Sequence, residues 1–508
     1  MFSFISRRIA AGLVVLLGAT FIVFMTVSYA VDPLQALRTS ADPNKAMQMA
    51  RVASMLDLNV PPVLRYFAWL GRIVSYLWGQ GSFGMLINGQ TVLSQLASSL
   101  PVTVRLVFGS LILAIILGIA VGVATALRQY SAFDYVTTFI TFLFYSLPAF
   151  WVAVLLKEFG AIQFNTFLAS PQVPWPVLAL ISVGVGAVLV LVVGGRWRVR
   201  LLVGGVGFLA VALTLWYVSA SDWLRHPGLG IVGIAVTALG VAAAVVAITT
   251  GFENRRALGT AVTTAVVGIA LYYPLQYLFV YANGWVLIGL AVVAIACGIV
   301  IGVAWGGPDR RISARTGAIV AFVVGFFIVV DRIMQTWVTY LPAVGNRPIA
   351  TIGATTPNLG GSFWFQNMDI FTHLALPTIA LVLISFASYT RYTRSSLLEV
   401  MNQDYIRTAR AKGLNERTVV MRHAFRNALI PLATIIPMDV AAMFGGAIIT
   451  ESVFAWQGMG QMFLTDMHTG DIYGVMGYFL VTAVLAIAAN IVADIIYAGL
   501  DPRIRVAA

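Results

Sequence analysis

The 508-residue sequence contains one cysteine, four histidines and only 10% charged residues. A lone Cys297 rules out an intramolecular disulfide and any cysteine-based metal site. No pair of histidines stands at a metal-binding spacing, so no metal is expected. Soluble domains carry roughly 25% charged residues, so the scarcity of charge beside 60% hydrophobic residues excludes an ordinary water-soluble globule. The chain has no GxxxxGK phosphate loop followed by Ser or Thr, no HExxH and no nucleophile elbow. It therefore carries no recognisable site for ATP or for catalysis, and no cofactor of its own is expected. The formal net charge of +12 does not point to nucleic acid, because the basic residues sit between long apolar runs, where the positive-inside rule accounts for them.

What remains is apolar runs of membrane-spanning length. Arg7 and Arg8 precede the first, Ile9 to Ala30. Ser28-Tyr29-Ala30 resembles a signal-peptidase site, but 22 residues exceed the ~7–15 of a signal core and match the ~20 needed to cross a bilayer. A retained anchor with a cytoplasmic N-terminus is expected. LDLNVPPVLRYFAWLGRIV follows, with apolar spacing that suits a helix lying on the outer surface. A second span runs from Pro101 to Ala126 and a third from Tyr135 to Leu156, kinked at Pro148. Lys157 and Glu158 then mark its outer end as a snorkelling pair. Six further runs lie near 174–195, 201–219, 229–250, 259–281, 285–305 and 316–336, free of charge in their central portions. Gly184, Gly186, Gly194 and Gly195 offer close helix approach there. Three more spans follow, the last near Gly477 to Gly499 with Asp494 at its inner end. Twelve spans place the Arg-rich loops near 196–200, 255–256 and 310–315 on the cytoplasmic side. Arg503 and Arg505 complete a positive cytoplasmic tail.

The densest polar island is RYTRSSLLEVMNQDYIRTARAKGLNERTVVMRHAFR, Arg391 to Arg426, with eight Lys or Arg against Glu399, Asp404 and Glu416. Asp404 reads as an N-cap, Tyr405 to Lys412 as a short helix, and Gly413 as its left-handed stop. Asn415 offers a second cap for a helix running toward Pro431. A helix of about eight residues is marginal alone in water, so its stability is expected to come from docking on a protein partner.

DYIRTARAKGL with RHAFRNALIP resembles the cytoplasmic EAA loop of ABC-importer permeases in the dipeptide, oligopeptide and nickel branch, although Arg407, Thr408 and Ala409 depart from the Glu-Ala-Ala of the wider superfamily. YSLPAFW, LPAVG, HLALPTIAL and ITESVFAWQGMGQ are similar to further family segments. The resemblance implies an all-α, multi-pass protein of the bacterial cell membrane, a type I ABC importer transmembrane domain of about twelve helices, six of them family-like and six inserted. Its expected layout is an anchor helix and outer loop over 1–97, a permease domain over 98–498 interrupted by inserted helices at 157–337, and a cytoplasmic tail over 499–508. The family's coupling helix maps to Glu399 and to Asp404, Tyr405, Ile406, Arg407, Thr408, Ala409, Arg410, Lys412 and Gly413; Tyr405, Ile406 and Ala409 are the expected contacts to the ATPase. The outer gate, facing a binding protein, maps to Glu451, Trp456, Gly458 and Gly460. Implied partners are a homologous second permease, two ATP-binding subunits or domains that hold ATP and Mg, and an extracytoplasmic solute-binding protein. Peptides are the expected substrate; nickel or another solute of the same branch is the alternative. An ion-gradient-driven secondary transporter is a different class of reading, but its midplane carboxylates and matched broken helices are missing, and a non-transporting scaffold is a third. His373 is expected to hydrogen-bond at an interface. Asp466 and Asp471 are read as a solvated turn, with contact to a cationic substrate terminus as the rival.

Overall fold

A computed structural model describes residues 2–193 and 195–500. Gly194 and the tail carrying Arg503 and Arg505 lie outside the described residues. The described residues form helices and no strand, with one isolated bridge between Met85 and Thr91. Nine helical segments among them are long and apolar enough to cross a membrane, or eleven if each of two bent pairs is one span.

Helix α1 (Phe2–Ala30) packs on the last helix and on α2 (Pro62–Tyr76). The expected surface helix is present as α2. Tyr66 and Trp69 are buried against Phe24, and the Tyr66 hydroxyl meets Thr20 Oγ1 at 3.0 Å. Helix α3 (Val92–Leu127) begins at Thr91, whose hydroxyl accepts from Ser94 N.

The expected third span is not a kinked rod. Helices α4 (Ala132–Ser146) and α5 (Ala149–Leu155) meet at 103°, because Leu147 and Pro148 are both extended. A residue before proline is driven out of the α region, and proline has no N–H to continue the ladder. The chain then winds through a π-helix, Leu156–Gln163, to Leu168. Lys157 consequently does not snorkel: its Nζ donates to the Val453 carbonyl at 2.9 Å.

The six apolar runs read as inserted are helical, and the last four pack around a core of their own. Helices α6 (Trp175–Val192) and α7 (Trp197–Ala220) form a hairpin in which a Cβ on Gly186 would lie 3.0 Å from Gly204 O. Gly184 and Gly195 face open space instead. Helices α8 (Gly230–Thr249), α9 (Arg255–Ala270), α10 (Gly284–Gly306) and α11 (Arg310–Ala343) surround Ile234, Ala261, Val320, Val324 and Ile328. A second bent pair joins α9 to Tyr272–Tyr281 at 51°. The apolar segment Gly284–Ala343 folds back at Gly307, φ 51°. Gly298 sits against Gly317, and Gly302 against Ser313 and Ala314. These side-chain-free contacts bring the two backbones into van der Waals range.

The last inserted helix runs further than its apolar run. Asp331 is a fully buried residue inside α11. Its Oδ1 accepts from Leu229 N and Gly230 N at 2.6 and 3.1 Å, and its Oδ2 from the Tyr272 hydroxyl and Gln335 Nε2 at 2.7 and 2.8 Å. One carboxylate thus caps α8 and ties three inserted elements together.

Helix α12 (Phe363–Met401) lies along α3. Gly118 faces Tyr389 and Thr390, and Gly122 faces Thr390 and Thr393, so both numbers rise together and the helices run parallel. The short helix α13 (Asp404–Ala411) follows, then α14 (Ile430–Val453), α15 (Met459–Thr469) and α16 (Ile472–Leu500). Arg8 Nε lies 3.2 Å from Asp494, pairing the first and last helices, as expected of an inner-end aspartate.

Asp331→Ala strips four donors of their acceptor, and unsatisfied buried donors cost about 1–3 kcal/mol each before relaxation. The variant is expected to lower the midpoint of denaturant unfolding in detergent, while Tyr272→Phe costs less; a wild-type midpoint for Asp331→Ala would exclude the capping role.

Candidate coupling site and outer gate

At one end of the α3–α12 pair lies the polar island. Helix α13 is stopped at Gly413, φ 75°, as expected. A Cβ there would touch nothing, so only the left-handed backbone selects glycine. Asn415 Oδ1 accepts from Thr418 N at 2.8 Å, the expected second cap. The following turn is wide: a π-helix, Val419–Ala424, precedes Phe425–Ala428. The other cap differs. Gln403, with no side-chain bond, occupies the N-cap position, and Asp404 is the first helical residue. Its carboxylate lies 3.6 Å from Arg407 and favours the positive helix end through charge alone.

The docking surface also differs from expectation. Ile406 and Ala409, three apart on one face, are buried with Leu397, Val419, Ala424 and Ala428 of the same chain. They are not available as partner contacts, and the helix takes its stability from its own subunit. Tyr405 is partly exposed and its hydroxyl accepts from Asn427 Nδ2 at 2.9 Å. Asp404, Arg407, Thr408, Arg410 and Lys412 face outward, and Glu399 is exposed at the end of α12. Arg410 grips Glu416 across the turn at 3.1 and 2.7 Å, which holds the Glu416 carboxyl below the usual range. Three further bonds anchor the island: Arg394 bridges both oxygens of buried Asp134 at 2.8 and 2.9 Å, and Ser396 Oγ donates to Ala428 O.

At the opposite end of the pair, the four outer-gate residues come together. Glu451 is fully buried and accepts from Thr103 Oγ1 at 2.6 Å, Gly460 N at 2.7 Å and Gln461 N at 3.1 Å. The latter two are first-turn N–H groups of α15, so Glu451 caps a helix that turns back into the fold. A Cβ on Gly458 would lie 2.3 Å from Glu451 Oε1, and one on Gly460 2.6 Å from Ile448 Cα. Both positions therefore admit only glycine. Trp456 is buried beside them. Because all four are buried, they hold the re-entrant segment rather than offering side chains to a binding protein. Sequence pattern found this cluster but not Thr103, which contributes from 348 residues away.

Asp466 and Asp471 do not form a solvated turn. Both are buried: Asp466 accepts from Gln95 Nε2 at 3.1 Å, and Asp471 takes Ile87 N on both oxygens at 3.0 Å. Burial pushes Asp466 up to about 7, with a further rise from the Asp471 charge, and Asp471 up to about 6. His373 is also buried, its Nδ1 2.8 Å from Asp369 O. No group of His, Cys, Asp and Glu among the described residues has the arrangement of a metal site.

Parallel long helices, a docked polar elbow at one end and a capped re-entrant helix at the other define a multi-pass transport permease. The chain belongs to the binding-protein-dependent transport permeases: the family model described as binding-protein-dependent transport system inner membrane component matches residues 298–506. The match begins inside α10, so it also takes in the end of the region read as inserted. The oligopeptide transport system permease protein OppB of Mycobacterium tuberculosis is 32% identical over 295 residues, 56% of this chain and 79% of the relative. AppB of Bacillus subtilis, an oligopeptide transport system permease protein, is 43% identical over 141 residues, 28% of this chain and 45% of the relative. The dipeptide transport system permease protein DppB of Escherichia coli is 43% identical over 138 residues, 27% of this chain and 41% of the relative. The protein is accordingly a multi-pass component of the cell membrane.

The aspartate pair makes the outer segment pH-dependent. Folded pKa values above the unfolded ~3.9 mean that the native state binds more protons between about pH 4 and 7, so stability falls as pH rises through that window. Hydrogen-exchange protection of α15, corrected for intrinsic rates, is expected to be higher at pH 5 than at pH 8, and Asp466→Asn should flatten the difference. Greater protection at pH 8 in the wild type would contradict the burial argument.

Proposed function

We propose that this chain is one permease half of an ATP-driven importer of peptides, coupled to a separate ATPase through α13. The observation that carries the reading is the division of α13 into two faces. Ile406 and Ala409 fasten it to the permease, while Asp404, Arg407, Thr408 and Lys412 stand exposed on its other side. A lever needs both faces: one to transmit force into α12 and α14, one to be gripped. The names of the relatives support peptides as substrate, and the family description supports a solute-binding protein as the donor.

The remaining assembly follows from the same reading. A homologous second permease completes the path, two ATP-binding subunits or domains hold ATP and Mg, and binding of ATP draws them together against α13. Both termini lie in the cytoplasm. The Gly284–Ala343 hairpin crosses twice, giving twelve spans with the two bent pairs counted as one each. Parallel packing of α3 and α12 favours this count, because an odd number of crossings must lie between helices that point the same way, and this count puts seven there.

Charge reversal at Arg407→Glu with Lys412→Glu tests the outer face alone, whereas Ala409→Asp would also undo the docking within the subunit. Uptake by the reconstituted assembly is expected to fall on the order of tenfold, as two lost surface charge contacts of up to about 1 kcal/mol each would give. Membrane insertion and the elution profile of the permease should stay unchanged. Wild-type uptake and ATPase stimulation in the double variant would defeat the coupling assignment.

A further inference from the structure

We infer that the polar cavity between the end of the π-helix and the chain segment 344–357 is a binding site for the carboxylate end of a peptide, with Arg347 and Lys157 as its cationic anchors. The inference rests on the importer reading and supplies it with a substrate subsite.

The cavity has a volume of about 970 Å³, at the upper end of the ~300–1,000 Å³ of ligand pockets. Its lining contains Lys157, Arg347, His373, Asn165 and several threonines, and no Asp or Glu. Arg347 is exposed and makes no ion pair among the described residues. The Lys157 ammonium spends one of its three N–H donors on the Val453 carbonyl. Nearby acids are already engaged. Asp369 accepts from Thr356 N, Thr356 Oγ1 and the Tyr340 hydroxyl, and Glu158 accepts from Gln163 Nε2. The site therefore presents an unpaired Arg347 and the remaining donors of Lys157 in a polar, partly enclosed space, with Asp369 held behind it 3.5 Å from His373, and a substrate carboxylate meets the two cations through charge-assisted bonds.

The walls are built rather than loose. The Asn165 amide clamps Ile349 through two bonds, Nδ2 to Ile349 O at 2.8 Å and Ile349 N to Oδ1 at 3.1 Å. Gly353 N donates to Phe454 O at 2.9 Å, and Thr356 is pinned on Asp369. Preformed geometry lowers the ordering cost of binding. Two links lead from the cavity to the re-entrant segment, at Val453 and Phe454, so occupancy is felt at the end of α14. Tyr340 and Ala343, from the end of α11, form one wall.

Because Cys297 is the sole cysteine, Cys297→Ser yields a cysteine-free chain in which Thr351→Cys reports on the cavity. Thr166→Cys, on the opposite wall, serves if the first reporter does not fold. Maleimide labelling of the full chain in nanodiscs is measured with trialanine, trialanine amide or glycerol phosphate present. Trialanine is expected to slow labelling and the amide to have no effect. Arg347→Gln should raise the half-protecting concentration by about tenfold or more, and Arg347→Lys should restore part of it. Equal protection by acid and amide, or none by either, overturns the site; protection by glycerol phosphate alone makes it a lipid-headgroup site instead. Peptide uptake by the complete assembly is read separately. Uptake without protection removes the subsite and leaves the importer, whereas protection without uptake removes the importer and leaves a carboxylate site.

Discussion

Helix ends that stop inside a membrane protein must be satisfied by the protein itself, because hydrocarbon supplies no water to unpaired N–H and C=O groups. Three side chains meet this requirement at the places where the fold departs from straight rods. Glu451 caps α15, Asp331 caps α8, and Lys157 takes the carbonyl of the last residue of α14, Val453. In each case the sign of the charge matches the helix end it meets. A carboxylate faces N–H groups and an ammonium faces a carbonyl. Broken helices are thereby affordable in a structure whose surface is otherwise apolar, and broken helices make cavities and re-entrant segments.

The same constraint explains why the two ends of the molecule behave differently. At the outer end, capping charges are buried and the backbone is fixed by glycines that leave no room for a side chain, as at Gly458 and Gly460. At the polar end, the elbow is held by a small apolar contact at Ile406 and Ala409 and by exposed ion pairs such as Arg410 with Glu416. Exposed pairs contribute little stability and exchange readily. The parallel α3–α12 pair joins a stiff outer end to an inner end built for handling. Ser396 and Arg394 of α12 are bonded to the chain after the elbow and to α4, which ties α13 to the long helices.

The sequence was legible wherever the physics is local. Apolar run length located the membrane helices, turn chemistry located Gly413 and Asn415, and the resemblance of ITESVFAWQGMGQ to a family segment pointed to the outer gate. It was misleading wherever a residue's partner is distant. Ile406 and Ala409 have the spacing of a contact face, but the pattern carries no information on whether that face meets a partner or the same chain. Asp404 looked like an N-cap by type, while the observed N-cap is Gln403 and Asp404 is already the first helical residue. Lys157 at the end of an apolar run reads as a snorkelling residue until Val453, almost three hundred residues on, is brought beside it. Asp466 and Asp471 look solvated in sequence and are buried by Gln95 and Ile87.

The inserted helices show how such a large addition is tolerated. Between α5 and α12 the chain leaves the permease core and closes a bundle with its own apolar centre. It returns through α11, whose last turns pack on α12 through Tyr340, Asp369 and Thr372. Most of its outward side chains are apolar, and a bilayer accepts them without a partner, as water would not. The addition also leaves α3 and α12 parallel, so the core helices keep the relative direction that the gate and the elbow both require. What the bundle changes is confined to the seam where Tyr340 and the segment after Ala343 meet the π-helix. On the proposed reading, a bundle that keeps α3 and α12 parallel and meets the core at this cavity wall bears on what is accepted and not on how transport is driven.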